Sequence, residues 1–84
     1  MIPQNITYDH IIKAIEKVKI EGIPKRRNPR SWVVLHDKFK YPCKLLISWA
    51  NIYANGQELS SSSFISNEAR TYLTEKRFSI IPLI

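Results

Sequence analysis

A chain of 84 residues with a hydrophobic fraction of 44% leaves room for one small domain and for no internal repeat. Its longest uncharged stretch, Leu45 to Gln57, is broken by Ser48, Asn51 and Asn55, which excludes a membrane span, and the lone Cys43 excludes an internal disulfide; with no secretory signal at the start, the expectation is a soluble cytoplasmic chain with no membrane partner. The net charge of +6 is localised, because Lys25, Arg26, Arg27, Arg30, Lys38, Lys40 and Lys44 stand with Asp37 alone while charges cancel in the rest of the sequence.

In chain order, the first predicted element is an amphipathic helix. Thr7 is its cap, Ile11, Ile12, Ile15 and Val18 recur at helical spacing, and Gly22 followed by Pro24 stops it. With Gly22 at C′, Val18 and Ile23 take the positions that pack together in a Schellman ending. The stretch KRRNPR over residues 25–30 contains no core former, and its proline keeps Asn28 out of the helical region, so it reads as an exposed loop or arm.

Trp32 to His36 and Phe39 to Tyr41 are rich in β-branched and aromatic residues, with Asp37-Lys38 between them, which is a hairpin pattern. Lys38 occupies a place that a tight two-residue turn prefers to fill with glycine. A second, central helix is predicted to open at Pro42, with Tyr41 as N-cap, and to run to about Ala54 before Asn55-Gly56 ends it. Leu45, Leu46, Trp49, Ile52 and Tyr53 give it a wide apolar face. After a serine-rich connection, Ser66 caps a third short helix carrying Ala69, Tyr72 and Leu73, and a last strand covers about residues 78–82. The apolar residues Ile80, Ile81, Leu83 and Ile84 suit either a strand buried in a sheet or a chain that continues in a longer parent.

No catalytic constellation is visible. His10 and His36 lie in different elements without ligand spacing, Cys43 has no local histidine partner, and the acids form no metal-binding group, so neither a metal nor a cofactor is expected. For His36 and Cys43 the readings are a strand-end residue and a small semi-buried thiol.

The start of the second helix is unusual. Tyr41 cannot accept from first-turn amides as Ser or Asp does, and Lys44 opposes the helix dipole, so a phosphate there would accept from the amides of Cys43 and Lys44 and neutralise the cation. Water serves the same amides at most exposed helix starts. Trp32, Phe39 and Tyr41 interleave with the charges, and for Trp32 and Phe39 two readings stand: stacking on a base, or packing in the core of a small domain.

The run FKYPCKLLISWANIYANGQELSSSSF, with ISNEARTYL and KRFSII after it, resembles an N-terminal domain of modification-dependent restriction endonucleases of the Mcr type. Tyr41, Pro42 and Lys44 match a Tyr-Pro-Pro-Lys helix opening, Gly56 and Leu59 a Gly-x-x-Leu turn, Phe64 and Glu68 a Phe-Ser-Gly-Gly-Glu helix opening, and Leu73 and Phe78 a final Leu-Gly-Phe. The sequence departs at Cys43, across Ile65, Ser66 and Asn67, and at Lys76-Arg77, where the family shows Leu-Gly. The resemblance implies a DNA-recognition module at the N-terminus of a larger protein, attached to a nuclease or a nucleotide-driven motor that performs cleavage elsewhere.

The expected fold is α+β: three helices packed on a small sheet made of a hairpin at about 31–41 and the C-terminal strand. The expected function of this single domain is non-catalytic binding of DNA, in duplex form. Lys25, Arg26, Arg27, Asn28, Arg30, Lys38, Lys40, Tyr41 and Lys44 would make the contacts, Asn28 and Arg30 would read base edges, and Trp32 would stack. The alternatives are a protein-docking module within a restriction complex, in which the C-terminal apolar run matters more, and a small nuclease fragment.

Overall fold

A computed structural model describes residues 1–29 and 31–83, and the expected α+β architecture is present. Helix α1 (Tyr8–Glu21) is followed by strands β1 (Trp32–His36) and β2 (Phe39–Pro42), helix α2 (Cys43–Asn55), a single 3-10 turn (Ser61–Ser63), helix α3 (Ser66–Glu75) and strand β3 (Ser79–Pro82). Among the described residues no helix is long and apolar enough to cross a membrane.

Helix α1 is closed at its start by a capping box. The Thr7 hydroxyl accepts from the His10 amide at 3.3 Å and the His10 ring accepts from the Thr7 amide at 2.9 Å, so a histidine takes the place usually held by Glu or Gln. At the other end the Schellman pairing expected of Gly22 is replaced by one bond, from its amide to the Val18 carbonyl at 2.8 Å. Gly22 has φ 80° with ψ 179°, which sends the chain away extended, and Ile23 stays 37% exposed.

The sheet order is β2-β1-β3 and both pairings are antiparallel. Val34 stands opposite Tyr41 on one side and Ile80 on the other, and this row turns toward the helices. β3 is therefore an edge strand, with Ile80, Ile81 and Leu83 half-buried; Ile84 lies outside the described residues. Asp37 and Lys38 turn the hairpin with φ values of 49° and 72°, the signature of a type I′ turn made without glycine.

Pro42 ends β2 opposite Val33 instead of opening α2. Its φ of −65° suits a helix, but ψ of 129° holds it extended as the N-cap, so the helix starts at Cys43 and Tyr41 is not its cap. Gly56 closes α2 in the left-handed conformation, its amide donating to the Ile52 carbonyl at 2.9 Å. Ser66 is likewise the first residue of α3, not its cap, because the Glu68 carboxylate accepts from the Ile65 amide at 3.1 Å and fixes the start one residue earlier.

The core lies between α1 and α2 and under the sheet. Ile11, Ala14 and Ile15 of α1 and Leu45, Leu46, Ile47 and Ala50 of α2 have no exposed surface, and Leu73, Phe64 and Phe78 extend the cluster under α3. The Tyr72 hydroxyl donates to the Ile6 carbonyl at 2.8 Å, which fastens the N-terminal segment and its buried Ile2 and Ile6 onto α3. With eight buried positions in its 13 residues, α2 is the central helix; of its expected apolar face Leu45, Leu46 and Trp49 are buried, but Ile52 is half-buried and Tyr53 is 41% exposed, because the last turn runs past the core.

Candidate nucleic-acid interface

The hairpin divides what the sequence runs together. Antiparallel pairing brings Trp32 and Pro42 to one end of β1–β2 and leaves Lys38 at the other, about 14 Å away at roughly 3.4 Å per residue. Lys25, Arg26, Arg27, Asn28 and Lys44 belong to the first end, and Lys38 and Lys40 to the second. Arg30 lies outside the described residues.

The first end holds a cleft of about 480 Å³. Arg26, Arg27 and Asn28 line it from the arm, Ser31 and Trp32 from the start of β1, Cys43, Lys44 and Leu45 from the first turn of α2, Ser61 and Ser66 from the segments before and at α3, and Arg70 from α3 itself. Four cations from three parts of the chain thus converge, and no described residue of the lining is acidic.

The arm is a defined turn and not a loose loop. The Arg27 amide donates to the Pro24 carbonyl at 3.0 Å, leaving Lys25 and Arg26 exposed at the corner, and the Asn28 side-chain amide donates to the Lys25 carbonyl at 3.2 Å. The Arg27 guanidinium reaches down to α2, donating to the Ser48 hydroxyl at 2.9 Å and pairing with Glu58 at 3.3 Å. Ser48 has no exposed surface, so this bond satisfies a buried hydroxyl while it seats the arm.

Among the described residues no side chain caps the first turn of α2, and none of that turn's residues is acidic. Cys43, Lys44 and Leu45 of that first turn line the cleft beside its cations, and uncapped amides at the positive end of a helix dipole suit an anion. The Lys44 ammonium donates to the Ser61 carbonyl at 2.7 Å and lies 4.8 Å from the centre of the Phe64 ring. Burial, and then the neighbouring Arg27 cation, hold that ammonium below the ordinary lysine pKa, with Glu68 opposing. Both causes disfavour its charge, so an anion in the cleft would relieve them.

Arg70 stacks against Trp32, its guanidinium carbon 5.1 Å from the ring centre. In the sequence this arginine lies outside the basic segment, among charges that cancel; its local signal is its place one turn after Ser66, on the face that also carries a cleft residue. Trp32 is 39% exposed and Phe39 61% exposed, so core packing, one of the two readings open for them, is not what they do. Tyr41 goes the other way. Expected at the interface, it is 4% exposed, because alternation along β2 turns it to the helices and turns Lys40 outward, and a nucleic acid cannot reach its ring.

Cys43 is buried, with its thiol 3.7 Å from the Trp32 carbonyl, and burial pushes its pKa up to about 11 against the opposing pull of Arg70. Such a thiol is no nucleophile at neutral pH. Among the described residues no three His, Cys, Asp or Glu side chains stand close enough to share a metal ion. Comparison with protein-family models, with characterised proteins and with solved structures gives no match for this chain.

Proposed function

We propose that this chain is a non-catalytic DNA-binding domain that holds the phosphate backbone of a duplex in the cleft at the start of α2. The observation that carries the reading is the convergence of Arg26, Arg27, Lys44 and Arg70 on one concavity without a described acidic lining residue, beside a helix start whose first turn has no capping side chain. Guanidinium groups and helix amides both suit phosphate oxygens, and their field draws a polyanion from a distance. The resemblance to Mcr-type restriction endonucleases extends the proposal to a specificity module whose partners are the other domains or subunits of such a system.

Titration of the chain with a short duplex at several salt concentrations tests this. With four to six phosphates neutralised, log K against log salt falls with a slope of about −4 to −5, from roughly −0.9 per contact. Absence of binding at low salt overturns the proposal. The rival reading, docking of a protein partner on the half-buried apolar residues of edge strand β3, gives a slope near zero with DNA and binding that survives high salt.

A further inference from the structure

The second end of the hairpin is built differently from the cleft. Phe39 follows the turn on the free edge strand β2, where it stands opposite His36 and is 61% exposed. It shares the sheet face of Tyr41 but lies past the end of the core, so its ring overhangs solvent. Lys38 at the turn and Lys40 beside it are both exposed, and the tip's carboxylate, Asp37, lies 3.6 Å from the His36 imidazole.

A large aromatic ring left in water forgoes the stabilisation that burial gives it, while the same ring set between cations offers a nucleic acid a stacking surface with phosphate contacts next to it. Adjacent residues of a strand point to opposite faces, so the Phe39 ring and the Lys40 ammonium leave the tip on opposite sides, and the ring can meet the bases while the ammonium meets a flanking phosphate. A major groove about 12 Å wide admits a two-stranded ribbon. The tip's distance from the cleft, about 14 Å along β1, is close to that width.

We infer that the hairpin tip is a second DNA contact, in which Phe39 wedges against the bases of the duplex and Lys38 and Lys40 hold the flanking phosphates. The inference rests on the proposed function, since it needs the cleft to hold the backbone at the other end of the ribbon. Side chains that enter a base step partly unstack it and bend the duplex, so the contact also carries a mechanical signature.

The test uses the full chain with a 20-base-pair duplex labelled at both ends for energy transfer. Phe39→Ala is expected to weaken binding by about 5- to 150-fold, the range of one base-aromatic stack. The salt slope stays unchanged because no cation is lost, and the end-to-end shortening that the unaltered chain produces disappears. Phe39→Leu, which keeps an apolar wedge but no aromatic face, is expected to keep the melting temperature and to fall between the unaltered chain and Phe39→Ala in affinity and bending, which separates stacking from a packing defect. Equal affinity and equal bending for the unaltered chain and Phe39→Ala overturn the hairpin contact and leave the cleft standing. Failure of the unaltered chain to bind the duplex overturns both.

Discussion

The guanidinium of Arg27 donates at 2.9 Å to the hydroxyl of Ser48, a residue 21 positions later in the chain and without exposed surface. Seven cations in one quarter of a sequence describe a charge density; this bond gives part of that density a shape, because it ties the turn bearing Lys25 and Arg26 to the middle of the central helix. Arg27 is thus both a wall of the cleft and the fastening of the arm that forms its rim.

Ser48→Ala removes no charge, so it isolates the fastening from the electrostatics. It is expected to cost about 1 kcal/mol of stability, the ordinary worth of one hydrogen bond. DNA affinity should also fall severalfold, with an unchanged salt slope, as the arm loosens. Arg27→Ala should cost more in both respects and reduce the magnitude of the slope by about 0.9. A double-mutant cycle in urea, with the matching DNA titrations, checks both; additive stability effects of the two changes would show that the bond carries no coupling.

Lys44 is held by the protein's own groups as well as being offered to a ligand. Truncation to alanine removes its bond to the Ser61 carbonyl and its place over the Phe64 ring, so Lys44→Ala should lower stability by about 1 kcal/mol despite relieving the unfavourable dipole. Binding should weaken in parallel. Lys13→Ala, on an exposed position of α1, should change DNA affinity little. Thermal melts and DNA titrations of the two variants distinguish these outcomes, and equal affinity losses would remove the special place of the α2 start.

Much of the fold was legible because local chemistry and global packing agree. The spacing of Ile11, Ile15 and Val18, the left-handed Gly56 and the hairpin around Asp37-Lys38 each follow from neighbours in sequence. Both helix starts were displaced by one residue for tertiary or side-chain reasons: Pro42 is kept extended by its pairing with Val33, and Ile65 is capped by a carboxylate three residues on. The site was only half legible. Charge density pointed to the right segment, but the division of that segment by the β1–β2 pairing and the arrival of Arg70 from α3 depend on contacts between residues far apart in the chain. Tyr41 was misplaced because three aromatics near lysines look alike until strand alternation assigns each a face.

Cys43 should be inert to a disulfide reagent in the native protein at pH 8 and react at once in denaturant. Burial raises its pKa to about 11, while the unfolded thiol titrates near about 8.5. The unfolded state therefore loses its proton first. Stability from this group is complete below about pH 8.5 and declines as pH rises toward 11, with Tyr41 and Tyr72, also raised by burial, adding to the decline above about pH 10. Cys43→Ala should flatten the decline between about pH 8.5 and 10, measured by urea melts at stepped pH. A native thiol that reacts as fast as a free one would show that it is not enclosed.

Arg77, two residues past the end of α3, has φ of 73°, in the conformation that glycine adopts without strain. The bonds around it are those of a Schellman motif: the Arg77 amide donates to the Thr74 carbonyl at 3.0 Å and the Phe78 amide to the Leu73 carbonyl at 3.0 Å, with Leu73 and Phe78 both buried. The turn is thus made by the hydrogen bonds and the apolar pair, and the arginine tolerates it at a cost. A left-handed L-residue is disfavoured by about 1–2 kcal/mol, and glycine gives back about 0.5–1 kcal/mol through its freer unfolded state, so Arg77→Gly should stabilise by about 0.5–1 kcal/mol. For a domain of this size that raises the melting temperature by about 3–6 °C. Lys38→Gly, at φ of 72° in the hairpin turn, should stabilise by a similar amount for the same reason. It should also reduce the magnitude of the DNA salt slope by about 0.9, since Lys38 sits at the proposed contact. Calorimetry of the two variants measures the first effect, and a fall in melting temperature for Arg77→Gly would show that its side chain contributes more than its backbone costs.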